Sequence, residues 1–209
     1  MALQALLAEV EPGWYANGAD VPDPELVDRA RGSALGRRLL AGWLATGAAS
    51  ALLAPSPDRG RCAGLVERWP RARLEALVGD IGVLAYAPAI RAEVRREPVR
   101  RLKAMLGNSY LLALDRTVWD GRLEPALVAR LSIEFGEALA VAGPGEDALM
   151  ALFSRQGRHE LQAWARRRDP ALADWSVLVE PREAPRTAFL PEKPVLRVYT
   201  HHEMRAVAA

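Results

Sequence analysis

The sequence contains very little cysteine and few aromatic residues, and these shortages exclude several classes of protein. Cys62 is the only cysteine among 209 residues, so no intrachain disulfide can form, which is typical of a reducing compartment. Aromatic residues make up 6% although 50% of the chain is hydrophobic, so its apolar content is mainly Ala, Leu and Val. Because Ala and Leu favour helices, we expect a helical core. Since the single cysteine fits a reducing compartment, we also expect a cytoplasmic location.

Excess charge and long hydrophobic runs are also scarce. The chain has 28 Lys and Arg against 26 Asp and Glu, a net charge of +2, whereas a nucleic-acid-binding protein usually gathers a larger basic surplus on one face. The longest weakly polar stretch, residues 39–57, is too short and too rich in Gly, Thr and Ser to span a bilayer. Residues 1–10 lack the basic start of a signal peptide. We therefore expect neither nucleic-acid binding nor membrane insertion.

Motifs for catalysis and cofactor binding are missing as well. There is no G-x-G-x-x-G, Walker loop, H-E-x-x-H or C-x-x-C. His201, His202 and Glu203 have metal-ligand chemistry, but adjacent residues of an extended segment point to opposite sides, so we expect a solvated tail. Cys62 lacks the signature of a reactive thiol, and Ser109 lies inside a predicted helix and not at a strand-to-helix elbow. The sequence therefore predicts no catalytic residue, no cofactor and no metal, and indicates a protein that is not an enzyme.

Apolar residues at helical spacing, divided by prolines, are what the chain does contain. Asp23 and Pro24 have the chemistry of an N-cap and a first helical position, and Ser33 is a second candidate cap. Proline is tolerated at the start of a helix and disrupts its interior, so the prolines place helix boundaries. The predicted helices cover about 24–31, 34–53, 71–86, 88–97, 98–115, 125–142, 146–168 with a break at Gly157, and 170–178.

The predicted fold is all-α, a single-domain irregular helical bundle over residues 1–209. Residues 1–23 are a loop-rich N-terminal segment, 24–178 the helical body and 179–209 an extended, Pro-rich C-terminal strap. Within the strap, residues 195–199 alternate weakly and indicate a strand or an irregular tail. Trp43 and Trp164 lie on apolar helical stripes, and we expect both in the core.

The densest basic run is the candidate site for binding another protein. Its side chains offer a docking surface for an acidic partner, although charged runs on helices are often only solvated, and Glu93 and Glu97 lie among them. The predicted patch consists of Arg91, Arg95, Arg96, Arg100 and Arg101.

The central section of the chain resembles one known family. Residues 74–114 form a pattern of a Leu/Ile-Gly helix, an Ile-Arg helix, a Val-x-x-Leu turn and a helix with Leu-Gly and Tyr. The residues of this pattern are Ile81, Gly82, Val83, Leu84, Ala89, Ile90, Arg91, Val94, Val99, Leu102, Leu106, Gly107, Tyr110, Ala113 and Leu114. The pattern resembles the central block of the type III secretion sorting-platform accessory proteins, the SctK family (the YscK, PscK, MxiK and OrgA group).

The resemblance implies a structural role in protein transport and virulence. Members of the family are non-enzymatic cytoplasmic adaptors of the injectisome, which link the cytoplasmic domain of the SctD-type inner-membrane ring protein to the SctQ-type pod protein. It implies no catalytic residue and no cofactor. Two alternatives stay open: a helical regulatory or chaperone-like protein-binding module unrelated to secretion, and an enzyme with a helical fold and a motif-free pocket.

Overall fold

The computed structural model describes residues 7–15, 23–46, 69–141, 148–182, 184 and 186–207, with the backbone alone at 171 and 205–207. Within those residues the secondary structure is helical and contains no strand, which confirms the all-α class. A 3-10 turn covers Pro12–Tyr15. The α-helices are α1 (Pro24–Arg31), α2 (Ala34–Thr46), α3 (Arg71–Ala85), α4 (Ala87–Ala92), α5 (Arg96–Leu106), α6 (Ser109–Leu114), α7 (Pro125–Ala140), α8 (Ala148–Arg168), α9 (Pro170–Val179) and α10 (Glu192–Val207).

Caps and prolines start several helices where the sequence predicts them. The side chain of Asp23 accepts a hydrogen bond from the backbone N–H of Glu25 at 3.0 Å, and Pro24 is the first residue of α1. Ser33 accepts from the N–H of Gly36 at 2.9 Å at the start of α2. These bonds satisfy amides that have no partner inside the helix. Residues 47–53, the end of the helix predicted over 34–53, lie outside the described residues.

The helices around Pro98 are shorter than predicted. The prediction of helices over 88–97 and 98–115 is wrong, because α4 ends at residue 92, α5 starts at Arg96 and a break separates α5 from α6. Pro98 sits in the first turn of α5, where an N–H is not needed. Gly107 has a φ of 52°, a backbone conformation that glycine adopts readily and that ends α5.

The C-terminal region is the largest departure from the prediction. The described residues between 181 and 191 form neither helix nor strand. The prediction of a strap that continues to residue 209, with a strand or irregular tail at 195–199, is wrong because α10 covers Glu192–Val207. Pro194 occupies its first turn, where proline is compatible with a helix.

Contacts divide the chain into two compact units. Unit 1 consists of Met1–Arg71 and Ala165–Pro185, and unit 2 of Ala72–Trp164 and Arg186–Ala209. These boundaries differ from the predicted divisions at residues 23 and 178. The single domain over 1–209 stays a prediction, because compactness does not measure whether the chain unfolds in one cooperative step.

Unit 1 is held by buried tryptophan and by arginine bound to carbonyl groups. The indole N–H of Trp175, a side chain 2% exposed, donates to the carbonyl of Trp69 at 2.8 Å. Arg31 donates to the carbonyls of Leu7, at 3.1 Å, and of Val10. The prediction that Trp43 is in the core is wrong, since its side chain is 40% exposed.

Unit 2 depends on a close crossing of α3 and α8 through two glycines. A Cβ atom at Gly82 would lie 1.9 Å from the carbonyl oxygen of Phe153, and one at Gly157 would lie 1.9 Å from that of Val78. The prediction that Gly157 breaks the helix is wrong, because α8 runs through it without interruption. Around the crossing lie buried side chains including Leu77, Ile81, Leu149, Phe153, Leu161 and, as predicted, Trp164.

The crossing predicts which glycines tolerate a methyl group. Gly82→Ala and Gly157→Ala should each lower the free energy of unfolding by at least about 1–3 kcal/mol, because backbone atoms cannot move aside as a flexible side chain does. Gly79→Ala, on the same helix with open space at its Cβ position, should be neutral or stabilise by up to about 1 kcal/mol. Chemical denaturation measures all three. Equal effects at Gly79 and Gly82 would contradict the crossing.

Candidate functional site

Two of the five predicted docking arginines are engaged inside unit 2. Arg91 donates from Nε to the carbonyl of Ala113 at 2.7 Å and from Nη2 to that of Trp119 at 2.8 Å. Desolvation lowers the pKa of Arg91. Arg101 donates to the carbonyls of Leu139, at 3.0 Å, and Val141, at 3.2 Å. Arg91 therefore links α4 to the C-terminal end of α6, and Arg101 links α5 to the C-terminal end of α7. Carbonyl groups at these ends lack helical partners.

The other three arginines of the patch are exposed. Arg95 pairs with Glu93 at 2.6 Å and Arg100 pairs with Glu97 at 3.4 Å, and both arginine side chains are 68% exposed. Arg96 is exposed and contacts no acidic group among the described residues. Surface pairs of this kind contribute little to stability. Arg95, Arg96 and Arg100 thus remain accessible to a partner, and their binding role stays a prediction.

Arginine outside the patch follows the same pattern of binding carbonyl groups. In unit 1, Arg37 donates to the carbonyl of Arg31 at 2.9 Å. In unit 2, Arg73 donates to the carbonyl of His202 at 2.7 Å, and Arg197 donates to that of Thr117. The cationic side chains therefore serve in part as internal ties, which a count of charges from the sequence does not reveal.

Unit 2 also contains a cavity of about 290 Å³ with several polar side chains in its wall. Asp80 comes from α3, Ser109 from the start of α6, and His201 from α10, so three elements contribute. Ser109 donates its hydroxyl to Oδ1 of Asp80, while Nε2 of His202 lies 2.8 Å from Oδ2 of the same carboxylate. The lining residues are Asp80, Asn108, Ser109, Leu112, Val118, Arg197, Val198 and His201.

The order of contacts does not fit a serine nucleophile. In a Ser-His-Asp triad the histidine lies between the hydroxyl and the carboxylate and removes the proton. Here the carboxylate of Asp80 lies between Ser109 and His202, and the histidine uses Nε2 on that carboxylate. The serine is therefore a donor that helps fix Asp80 in place. Its helix differs from the prediction, since Ser109 begins α6 and does not lie inside a longer helix.

The histidines of the C-terminal segment lie in a helix and not in an extended tail. His202 is 7% exposed and bonds Asp80, whereas His201 is exposed and lines the cavity. Their ring centres lie 6.0 Å apart with the planes at 88°, so the two rings pack edge to face on one turn of α10 and do not point to opposite sides as the extended segment predicted. Among the described residues, no group of three or more His, Cys, Asp or Glu side chains is placed to hold a metal ion. Cys62 lies outside those residues.

A buried carboxylate on α8 was not among the residues predicted from the sequence. Glu160 is 2% exposed and accepts hydrogen bonds from the backbone N–H groups of Phe189, at 2.9 Å, and Leu190, at 2.9 Å. Gln156 donates to Glu160 at 2.8 Å and to the carbonyl of Thr187 at 3.1 Å. Together they fasten the segment before α10. The signal was present, because Phe153, Gln156, Glu160 and Trp164 follow one another at spacings of three, four and four residues, which places them on one helix face.

A second depression, of about 360 Å³, is lined by four charged and five apolar side chains. Glu134 accepts the hydroxyl of Tyr86 at 2.5 Å and a nitrogen of Arg186 at 3.2 Å. Burial, more than the neighbouring carboxylate, raises the pKa of Tyr86. Because Glu134 is already engaged by these two side chains, its contacts are structural, and the one with Arg186 links α7 to the segment that precedes α10.

Glu160 should give the protein a characteristic pH dependence. Desolvation raises its pKa above the usual 4.5, although the three donated hydrogen bonds act in the opposite direction. The folded protein therefore keeps this proton at pH values where the unfolded chain has lost it, so the stabilisation is present at low pH and declines as pH rises above 4.5.

The difference in free energy of unfolding between wild type and Glu160→Gln should fall as pH rises from about 4 toward neutrality. Urea denaturation at several pH values measures it. Glu97→Gln is the matched control, because it removes a carboxylate that is 79% exposed. A difference that increases with pH would show that the hydrogen bonds outweigh desolvation.

No protein-family model, no curated protein and no solved structure matches this chain. Within the described residues, no helix has both the length and the apolar character needed to cross a membrane.

Proposed function

We propose that this chain is a structural adaptor of a bacterial type III secretion sorting platform, with no catalytic activity. It would link the cytoplasmic domain of an SctD-type inner-membrane ring protein to an SctQ-type pod protein. It would act at the cytoplasmic face of the inner membrane. The proposal starts from the resemblance of residues 74–114 to the SctK family.

The observation that carries the proposal is the burial, in the core of unit 2, of most residues that resemble the family. Ile81 and Leu102 are fully buried, and Ile90 and Tyr110 are 1% and 6% exposed, whereas Val94 and Leu114 are 85% and 42% exposed. Most of the apolar pattern, though not all of it, is therefore a packing pattern. Arg91, the polar member of the pattern, ties α4 to the end of α6 and to Trp119. The family pattern thus coincides with the contacts that shape one helical unit, as expected for an adaptor whose geometry must be rigid.

The exposed arginines supply a surface of the required kind. Arg96 and Arg100 are four residues apart and lie on the same side of α5, and Lys103 continues that side. A basic helix face accelerates and orients encounter with an acidic partner surface. The nearby acidic side chains, Glu93 and Glu97, pair with Arg95 and Arg100. Arg96 is in contact with no acidic group of the described residues and is available to a partner.

Co-purification tests the proposed role directly. The full chain, expressed with the ring protein's cytoplasmic domain and the pod protein from the same genome, should elute with both from a size-exclusion column. Each partner should also bind it alone, since a link needs two separate contacts. Association with neither would contradict the secretion role.

Charge reversal tests the basic surface. Arg96→Glu combined with Arg100→Glu should weaken binding of one partner by at least about tenfold, and by less at high salt, because the attraction is electrostatic and screened. The melting temperature should stay the same, because both side chains are exposed. Calorimetric titration and a thermal melt measure these effects.

The matched control is Arg122→Glu combined with Arg130→Glu. It makes the same change in net charge, and the two side chains are 91% and 51% exposed. This variant should bind as the wild type does. An equal loss of affinity in both double variants would assign the effect to net charge and contradict a specific surface on α5.

One observation favours the alternative, a helical regulatory or chaperone-like module unrelated to secretion. Leu35, Leu39 and Trp43 follow one another at four-residue spacing on α2 and are 68%, 52% and 40% exposed. This apolar stripe lies in unit 1, outside the resembling block. The alternative predicts that neither the ring protein nor the pod protein binds, so the co-purification experiment distinguishes the two roles.

A further inference from the structure

The cavity in unit 2 has hydrogen-bond donors that no described residue uses. The side chains of Asn108 and His201 make no hydrogen bond with the described residues. Arg197 uses one terminal nitrogen on the carbonyl of Thr117, which leaves Nε and the other terminal nitrogen available. These three side chains line the same cavity, so it offers several donors to a bound molecule.

The acceptor in the cavity is already satisfied. The two oxygens of Asp80 are engaged by the hydroxyl of Ser109 and by Nε2 of His202. A ligand amine would have to compete with both partners. The polar side of the cavity is therefore suited to a molecule that accepts hydrogen bonds.

The charge of Arg197 also favours an anion. No carboxylate of the described residues lies within ion-pair distance of it. Asp115 is close enough for the charge of Arg197 to help lower its pKa, although hydrogen bonds from Thr117 lower that pKa more. Asp115 accepts the N–H of Thr117 at 2.7 Å, so its carboxylate is held on the backbone. The guanidinium is free to form a charge-assisted bond with a ligand carboxylate.

The cavity is small and its wall also has apolar side chains. Leu112, Val118 and Val198 provide them, and the volume of about 290 Å³ is just below the usual range for small-molecule sites, about 300–1,000 Å³. A few directed polar groups in a mainly apolar wall are the usual composition of such a site. The space fits a molecule of amino-acid size.

We propose that this cavity binds the carboxylate of a small apolar acid. The carboxylate is held by Arg197, Asn108 and His201, and the apolar body lies against Leu112, Val118 and Val198. Two sources present this chemistry: a free small acid, such as an N-acylated amino acid, and the C-terminal residue of a polypeptide. The inference goes beyond the adaptor role and does not depend on it.

Calorimetric titration of the full chain with N-acetyl-leucine tests the proposal. The acid should bind with a Kd of about 1 mM or lower. N-acetyl-leucinamide, which has the same apolar body without the charge, should bind at least about tenfold more weakly, because Arg197 then loses its ionic partner. No binding of the acid, or equal binding of acid and amide, would overturn the proposal.

Two variants locate the binding. Arg197→Gln should weaken binding of the acid by at least about tenfold, whereas Arg130→Gln, which removes the same charge from an exposed side chain of α7, should leave it unchanged. Val118→Phe fills the apolar side from a loop and leaves the polar groups in place, so it should abolish binding. Since Arg197 also ties Thr117, circular dichroism checks folding, and if Arg197→Gln is unfolded, Val118→Phe decides. Unchanged affinity in Val118→Phe would overturn the site.

A peptide distinguishes the two sources. Acetyl-Ala-Ala-Leu with a free C-terminus carries the same terminal leucine carboxylate with more chain attached. Binding at least about tenfold tighter than N-acetyl-leucine assigns the cavity to a polypeptide C-terminus. Equal affinity assigns it to a free acid, and weaker affinity shows that the cavity closes behind a small molecule. Each of these results supports the shared carboxylate chemistry.

Discussion

The close approach of α3 and α8 is the constraint on which unit 2 depends. Backbone at Gly82 lies against the carbonyl of Phe153, and backbone at Gly157 against that of Val78, so neither position has room for a side chain. The approach lets Phe153 reach Tyr86, with ring centres 5.6 Å apart, and Phe135, at 6.4 Å. Because a packed interior cannot yield by ångströms, these two glycines set the distance to which the neighbouring helices adjust.

Arginine supplies the second organising interaction. Arginine from another element donates to the last carbonyls of a helix in both units: Arg91 at the end of α6 and Arg101 at the end of α7 in unit 2, and Arg37 at the end of α1 in unit 1. These charge-assisted bonds satisfy groups that a helix cannot satisfy itself. The basic composition is thus partly an internal feature, and the surface available to a partner is smaller than the number of arginines suggests. What remains is Arg95, just before α5, and Arg96 and Arg100 on α5.

The two functions proposed for this chain depend on the basic surface around α5 and on one small cavity in unit 2. The Asp80 cluster contains a serine, a carboxylate and a histidine, yet their order makes the carboxylate a shared acceptor. A rigid helical unit with a basic face agrees with the adaptor role implied by the SctK resemblance. The cavity lined by Arg197 is a proposed site of another kind, for a carboxylate and not for a folded surface.

The sequence by itself determined the helical class and many helix starts, because periodicity, N-caps and prolines act within a few residues of one another. It predicted α9 and the cap at Ser33 for that reason. Only the tertiary structure decided the roles of Gly157, Glu160 and Trp43. A glycine in a helix is a break or a contact depending on what approaches it. A carboxylate is solvated or buried depending on whether distant amides meet it, and a tryptophan is core or surface depending on which face finds a neighbour.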